Sequence, residues 1–512
     1  MPSIGAILAG RLRYGIPVMG LGVGAAAAVA PIPVAAASMG VVALVGLAVI
    51  GRRLPAVFMA SVAVILTGYA FFGRSFAYLG YPPLFVGEAV LGLGILSLLM
   101  VGSRMRIGLV HALVLTFVLW GVMRTVPFLR VYGVDSIRDG VAWLYAFYAL
   151  AVAATVQPHH FERVIRWYQR AIPAYLIWVP IAGIAVAALP LPTLPIANVP
   201  ILSFKGGDAG IHLGAIAAFI FAGLYGSSPG TLRLPVTLLW TFFLGAAGMV
   251  AIVNRGGMLA MATSGAALLF ARRAGRVVSL MFVVTLSFTV LVAVDPEVEV
   301  PGNRPFSVGQ VLDNLTSILG ESEGAEIGGD LQGTKSFRLR WWSEIVDYTF
   351  NGPYFWTGKG FGVNLANDDG FQVTEDESLR SPHNGHFEVL ARMGVPGILL
   401  WGGLNLAYAW ALARAATRAA RGGRPEWVPI LAWLFVYWAA TMVNASFDPY
   451  LQGPQGGIWY WSILGLGLAA IHASERPAPW NGREPEDEPP QPAPQSRPVD
   501  AWATVAHGLR QP

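Results

Sequence analysis

The chain has 512 residues, 55% of them hydrophobic and only 12% charged, about half the charged share of a soluble domain, so it cannot cover a globular surface and most of it must face lipid. Zero cysteines exclude disulfides, thiolate metal sites and cysteine nucleophiles. The formal charge of +5 does not indicate nucleic acid, because no basic run with interleaved aromatics occurs and the arginines sit singly or in pairs at the ends of apolar segments.

In chain order, the leading MPSIGAILAGRLRYG lacks the basic, apolar, small-residue sequence of a cleavable signal and reads as a cytoplasmic or interfacial lead-in. Apolar segments then fall at 15–31, 34–51, 54–73, 84–102, 107–123, 140–156, 172–189, 209–226, 232–252, 256–271, 277–294, 394–415, 427–445 and 457–473. At about 20 residues per crossing, they predict an all-α fold, a polytopic membrane helical bundle of about 12–14 transmembrane helices. The first pair of segments is the least sharply divided, because Pro31 and Pro33 make the only break between them.

With the N-terminus cytoplasmic, the inside connections carry Arg11/Arg13, Arg52/Arg53, Arg104/Arg106, Arg163/Arg166/Arg170, Arg233, Arg272/Arg273/Arg276 and Arg414/Arg418/Arg421/Arg424, as the positive-inside rule requires. The opposite orientation would put almost all of them outside. This topology divides the chain into an N-terminal transmembrane bundle (1–294), one large extracytoplasmic loop (295–383), C-terminal transmembrane helices (384–474) and a cytoplasmic tail (475–512). The proline-rich, mixed-charge tail cannot bury enough apolar surface to fold alone and is predicted to be disordered. The loop holds 15 acidic against 6 basic residues. Its second half predicts order: RLRWWSEIVDYTF has helical periodicity, and GPYFWTGKGFGVN is a glycine- and aromatic-rich turn.

Outside the loop, the charged residues on the outer side are Arg74, Glu88, Arg124, Arg130, Asp135, Arg138, Asp139, Lys205, Asp208, Arg255 and Asp448. Outer connections should be poor in arginine, so these cations need a reason. The plainest is an anionic substrate, because guanidinium groups bind phosphate oxygens bidentately. Arg255, in VNRGGMLAMA, opens an apolar helix and is followed by two glycines that let backbone or ligand approach closely; the alternative is an arginine snorkelling to the membrane surface. Arg338 and Arg340 stand two apart in SFRLRWW and would point in different directions on a helix, so one of them faces a site. Arg138, in YGVDSIRDGVAWLY, is either a further substrate cation or is balanced by Asp135 or Asp139.

The segment SLRSPHNGHFEVLARMGVPG places two histidines at the threshold of an apolar helix. Ser381 and Pro382 resemble an N-cap followed by proline at the first helical position. His383 would then lie in the first turn, where the helix dipole disfavours imidazolium. A neutral imidazole at the aqueous face is what a general base requires; the alternative is a solvated loop histidine. His386 is its rival, or its partner as a metal ligand, but no third ligand is evident in the sequence.

RSPHNGHFEVLARMGVPGILLW resembles the C-terminal signature of the O-antigen ligase and O-antigen polymerase superfamily, a His-Asn pair leading to Gly-x-x-Gly at a membrane helix. NRGGMLA is similar to that family's Arg-Gly-Gly turn, and RLRWW with GKGFGVN resembles its loop segment, in which the arginine four residues before a tryptophan is Arg338. GRSFAYLGYPPLFVGEAVLGLGIL and GVDSIRDGVAWLY resemble the N-terminal half of its members. The resemblance implies a metal-independent glycosyltransferase of the cytoplasmic membrane that needs no cofactor and works at the extracytoplasmic face, while the charge pattern above places both termini in the cytoplasm. It would move a glycan from a polyprenyl diphosphate carrier to a hydroxyl on a glycan, lipid or protein acceptor. On this resemblance His383 is the base, Arg255 and Arg338 hold the diphosphate with Arg340 and Arg138 as further candidates, and Asn384 and His386 support the site. A transporter or flippase of lipid-linked sugars is the competing expectation. Its ionisable residues would sit near mid-membrane, whereas here they crowd one face.

Overall fold

In a bilayer the backbone has no water to bond, so apolar segments must close their hydrogen bonds internally as helices. The computed structural model describes residues 53–81, 84–102, 105–195, 197–226, 234–265, 280, 283, 284 and 328–479, with residues 328–335 described as backbone alone. The predicted spans 15–31 and 34–51, nearly all of 277–294, the end of 256–271, the loop from 295 to 327 and the tail from 480 lie outside the described residues.

The chain is an all-α polytopic membrane protein. Its main helices are α1 (Leu54–Phe72), α2 (Val86–Val101), α3 (Leu109–Thr125), α4 (Val134–Asp139), α5 (Ala146–Thr155), α6 (His160–Ala188), α7 (Gly206–Phe221), α8 (Val236–Val253), α9 (Arg255–Ala262), α10 (Gly328–Phe350), α11 (Gly385–Arg421), α12 (Val428–Ala445) and α13 (Pro454–Ala473). Among the described residues, seven helical segments are long and apolar enough to cross a membrane: α1, α3 with its short extension to Tyr132, α6, α8, α11, α12 and α13. α2, α7 and the segment Val141–Thr155 that contains α5 are apolar but shorter.

Burial separates the centre of the bundle from its lipid-facing ring. α7 is buried along almost its whole length, and α12 and α13 are far more enclosed than the other spans. The outer helices instead present Leu99, Leu119, Ile184, Leu406 and Trp410 outward, as lipid contact allows. The centre packs closely because α7 carries Gly206, Gly210 and Gly214 at four-residue spacing. A Cβ at Gly210 would stand 2.4 Å from the carbonyl oxygen of Gly257, and one at Gly257 would stand 2.5 Å from that of Gly206. This is the small-residue packing by which membrane helices approach without hydrophobic driving force. Of the Gly256–Gly257 pair after Arg255, Gly257 is therefore packed against backbone of the same chain, and Gly256 against the side chains of Asn254, Asn444 and Phe447.

α11 is broken at Gly394 (φ 67°, ψ −167°), one residue before the stretch Val395-Pro396. The turn predicted at GPYFWTGKGFGVN fits into this break. Val395 N–H donates to Phe355 O (2.7 Å), Lys359 N–H to Ala391 O (2.7 Å) and Gly360 N–H to Arg392 O (3.0 Å), while the Trp120 indole takes Met393 O (2.9 Å). A kink frees backbone groups that must be satisfied elsewhere, and here the glycine turn satisfies them. Gly394→Ala is expected to cost at least about 1–3 kcal/mol, because its Cβ would also stand 2.6 Å from Phe355 O. Thermal unfolding in detergent measures it; an unchanged midpoint would show that the kink tolerates a side chain.

Candidate active site

α10 is held on the start of α11 by two adjacent tryptophans facing opposite ways. Trp341 stacks on Phe371 (5.3 Å between centroids, 2° between planes), and its indole donates to Asp369 Oδ2 at 2.6 Å. Trp342 stacks on Phe387 (5.1 Å, 9°) and donates to Pro382 O at 2.8 Å. Lys359, on the turn, joins Asp368 and Asp369 and lies over the Tyr348 ring. This clamp fixes the phase of α10. Arg338, one turn before Trp342, points inward and its Nη1 donates to Phe447 O at 3.1 Å, whereas Arg340 is exposed.

The last residues of α12 and those that follow it are a meeting point. The start of α7 lies against them, since a Cβ at Gly207 would stand 2.5 Å from Asn444 Oδ1. The start of α9 lies beside it, a Cβ at Gly256 standing 3.2 Å from Phe447 Cβ. The start of α11 is tied in by Asn384 Nδ2, which donates to Ser446 O at 2.8 Å. Three helix N-termini therefore converge on Asn444–Asp448, each carrying partial positive charge at its first turn. Arg255 is the first residue of α9 and is half-buried there. Lys205 immediately precedes α7 and pairs with Asp448. Such a setting favours an anion.

His383 faces this cluster, but not as the sequence predicts. The N-cap of α11 is Asn384, not Ser381: its Oδ1 accepts from the N–H groups of His386 (2.9 Å) and Phe387 (3.2 Å). His383 lies just before the cap with φ 55°, a left-handed conformation that no helical first turn contains. The correction has a physical reason: one Asn384 side chain caps two first-turn N–H groups and also binds the turn after α12. Histidine is among the residues enriched at positive φ, yet the conformation still marks a constrained backbone. The expectation of a lowered pKa holds with a different cause. Burial pushes the imidazole below the usual histidine value first, Arg338 and Lys205 add to it, and Asp448 opposes them.

His386 is committed elsewhere. The Trp401 indole, which can only donate, gives its hydrogen to Nδ1 at 3.0 Å, so Nε2 carries the proton and donates to Met442 O at 3.3 Å. Both ring nitrogens are used. The ring of His383 makes no hydrogen bond among the described residues. No group of three or more His, Asp or Glu side chains is arranged for a metal among the described residues.

Arg138 pairs with Asp135 (3.3 Å) and Asp139 (3.9 Å) at a largely exposed position. Asp139 is the centre of a separate buried network: Arg380 Nη2 at 2.8 Å, Arg392 Nη2 at 3.2 Å and the Gly362 N–H at 3.2 Å all reach Oδ2. Arg392 also pairs with Glu388. The sequence reading left Lys205, Asp448, Arg380, Arg392 and Glu388 without roles. The outer-face charges named two of them, but nothing local joins positions 243 residues apart.

Against this geometry, a family model described as O-antigen ligase matches residues 240–402. That segment is similar to the O-antigen ligase family. The superfamily resemblance drawn from the short motifs is thus borne out over it. The matched segment contains Arg255, Arg338, Arg340, His383, Asn384 and His386, and stops short of Lys205, Arg138 and Asp448 on either side. No curated protein matches the chain.

Proposed function

We propose that the protein is a membrane glycosyltransferase moving a glycan from a polyprenyl diphosphate carrier to an acceptor hydroxyl, at the extracytoplasmic face of the cytoplasmic membrane. The observation that carries this is the half-buried His383, free at its ring nitrogens among the described residues and facing Arg338 where three helix N-termini meet. In the reaction His383 takes the proton of the acceptor hydroxyl as its oxygen bonds to the anomeric carbon. The bond from that carbon to the diphosphate oxygen breaks, and its electron pair leaves with the diphosphate. Arg255, Arg338 and the helix starts balance the charge that develops there. This reading needs no metal or nucleotide. Asn384 sets the loop that presents His383, and His386 holds α11 to α12. Arg138 and Arg340 are left out of the cradle, the first paired on its own helix and the second exposed.

Charge supports this side of the membrane. α11 runs from the His383 end to Arg418 and Arg421 in its last turn, and the arginine-bearing end belongs to the cytoplasm. The O-antigen ligase match supports the reaction class and leaves the acceptor open.

Lipid-linked glycan profiling of a deletion strain tests the reading. Accumulated single repeats identify a polymerase and accumulated full chains a ligase; an unchanged profile overturns the proposal. Flux of lipid-linked sugar into proteoliposomes with no glycosidic bond made would replace it with a transporter. Within the site, Arg338→Ala should lower kcat/KM about 10–100-fold, the loss of one charge-assisted contact, whereas Arg340→Ala should stay within about twofold. Equal losses at both positions would show that the phase of α10 does not select the cation.

A further inference from the structure

Lys205 and Asp448 lie outside the matched segment and have no part in the reaction as written above. Lys205 Nζ is 3.0 Å and 3.3 Å from the two carboxylate oxygens of Asp448. Arg338 reaches the carbonyl of the neighbouring Phe447. Two cations from α10 and from the start of α7 thus meet on one two-residue stretch, which offers them a carbonyl and a carboxylate. Beneath it, Asn444 is 1% exposed and neither atom of its amide has a hydrogen-bond partner. Its Oδ1 lies between the starts of α7 and α9. A buried amide without partners at the convergence of helix N-termini and cations indicates a position built for polar contact.

We propose that Lys205 is a further ligand of the donor diphosphate and that the Asp448 carboxylate competes with that diphosphate for it. The inference rests on the functional reading above and adds a residue and a regulating contact to that site. Its chemistry is direct. An ammonium is a compact point charge suited to a phosphate oxygen, and a carboxylate bound in two-oxygen fashion presents the same charge and geometry as a phosphate edge. Asp208, in the first turn of α7, and Arg74 face Lys205 as well, with opposite effects. Burial works against the ammonium, yet Asp208 and Asp448 hold its pKa above the ordinary lysine value. Lys205 therefore stays charged at any working pH. The exchange of partners is from one anion to another, with no proton moved.

The test is a double-variant cycle on the full chain in detergent, read as binding of a short-chain polyprenyl diphosphate. Lys205→Ala should bind about tenfold more weakly, and Lys205→Arg should keep most of the affinity. Asp448→Asn should bind more tightly than the parent, because Lys205 is released. In the Lys205→Ala background the Asp448→Asn gain should vanish. Weaker or unchanged binding by Asp448→Asn, or the same gain in both backgrounds, overturns the competition. Elution as a monodisperse species restricts the comparison to folded protein, and Lys205→Arg supplies the answer if Asp448→Asn does not fold: an affinity as low as that of Lys205→Ala sinks the ligand role. Glycan transfer is measured on the same preparations. Transfer by the parent with binding indifferent to Lys205 would leave the functional reading standing without this inference. Lys205-dependent binding without transfer would do the reverse.

Discussion

His383→Asn is expected to lower glycan transfer by about 10²–10⁴-fold, the contribution of a positioned general base, with no change in expression or unfolding temperature. Asparagine is the better probe than alanine because position 383 has φ 55° and asparagine tolerates that conformation through local hydrogen bonding. His383→Ala should lose the same activity and up to about 1 kcal/mol of stability besides, since histidine is several-fold enriched over ordinary residues in this conformation. The pH profile gives a second, independent readout. A base must be neutral to accept a proton, and burial with Arg338 and Lys205 nearby holds His383 below the ordinary histidine value. The acid limb of kcat/KM should therefore lie below about pH 6.5. Removing a cation relieves the imidazolium and raises its pKa, so Arg338→Ala should shift the limb to higher pH as well as lowering its plateau. Asp448→Asn removes the opposing charge and should shift it to lower pH. Transfer that survives His383→Asn, or a limb that ignores both charges, would remove His383 from the proposed chemistry.

The bundle was legible because a crossing helix needs only a long apolar run, and runs of that kind survive any detail of packing. The site was legible in part. Arg338 and Trp342 stand four apart and share a helix face, so the tryptophan that anchors α10 also aims the arginine, while Arg340 falls on the other side. The N-cap was misread because serine followed by proline is a good local signal, whereas the cap is Asn384, whose side chain is also held by a tertiary contact with Ser446 that leaves no local signal. Gly358 and Gly360 announced a turn, but its purpose depends on a kink in a different helix: a Cβ at Gly358 would stand 2.4 Å from the backbone of Arg392. Ion pairs between distant segments, such as Lys205–Asp448 and Asp139–Arg380, leave no periodicity for a sequence reading to find.

The largest stability effect is expected at Arg392. Its side chain is 1% exposed, it pairs with Glu388 and Asp139, and its Nη1 donates to Gly360 O (3.3 Å) and Val363 O (3.0 Å). Removing one partner from a buried ion pair leaves uncompensated charge in a low dielectric, so Arg392→Met should destabilise by about 3–5 kcal/mol. Arg392→Lys should recover only part of this, since an ammonium cannot hold two carboxylates and two carbonyls in fixed directions. Arg138→Ala, which loses a largely exposed pair, should cost no more than about 1 kcal/mol. Equilibrium unfolding in detergent separates these outcomes. The decisive variant is the double replacement Arg392→Met with Glu388→Gln, which neutralises the orphaned carboxylate while Arg380 still balances Asp139 at 2.8 Å. It should be clearly more stable than Arg392→Met alone. If the two losses simply add, the pair is not coupled and the network serves only to fill space. If they do not, the charge is what joins α4, the glycine turn and the kinked start of α11, and through Arg380 it reaches the loop that carries His383.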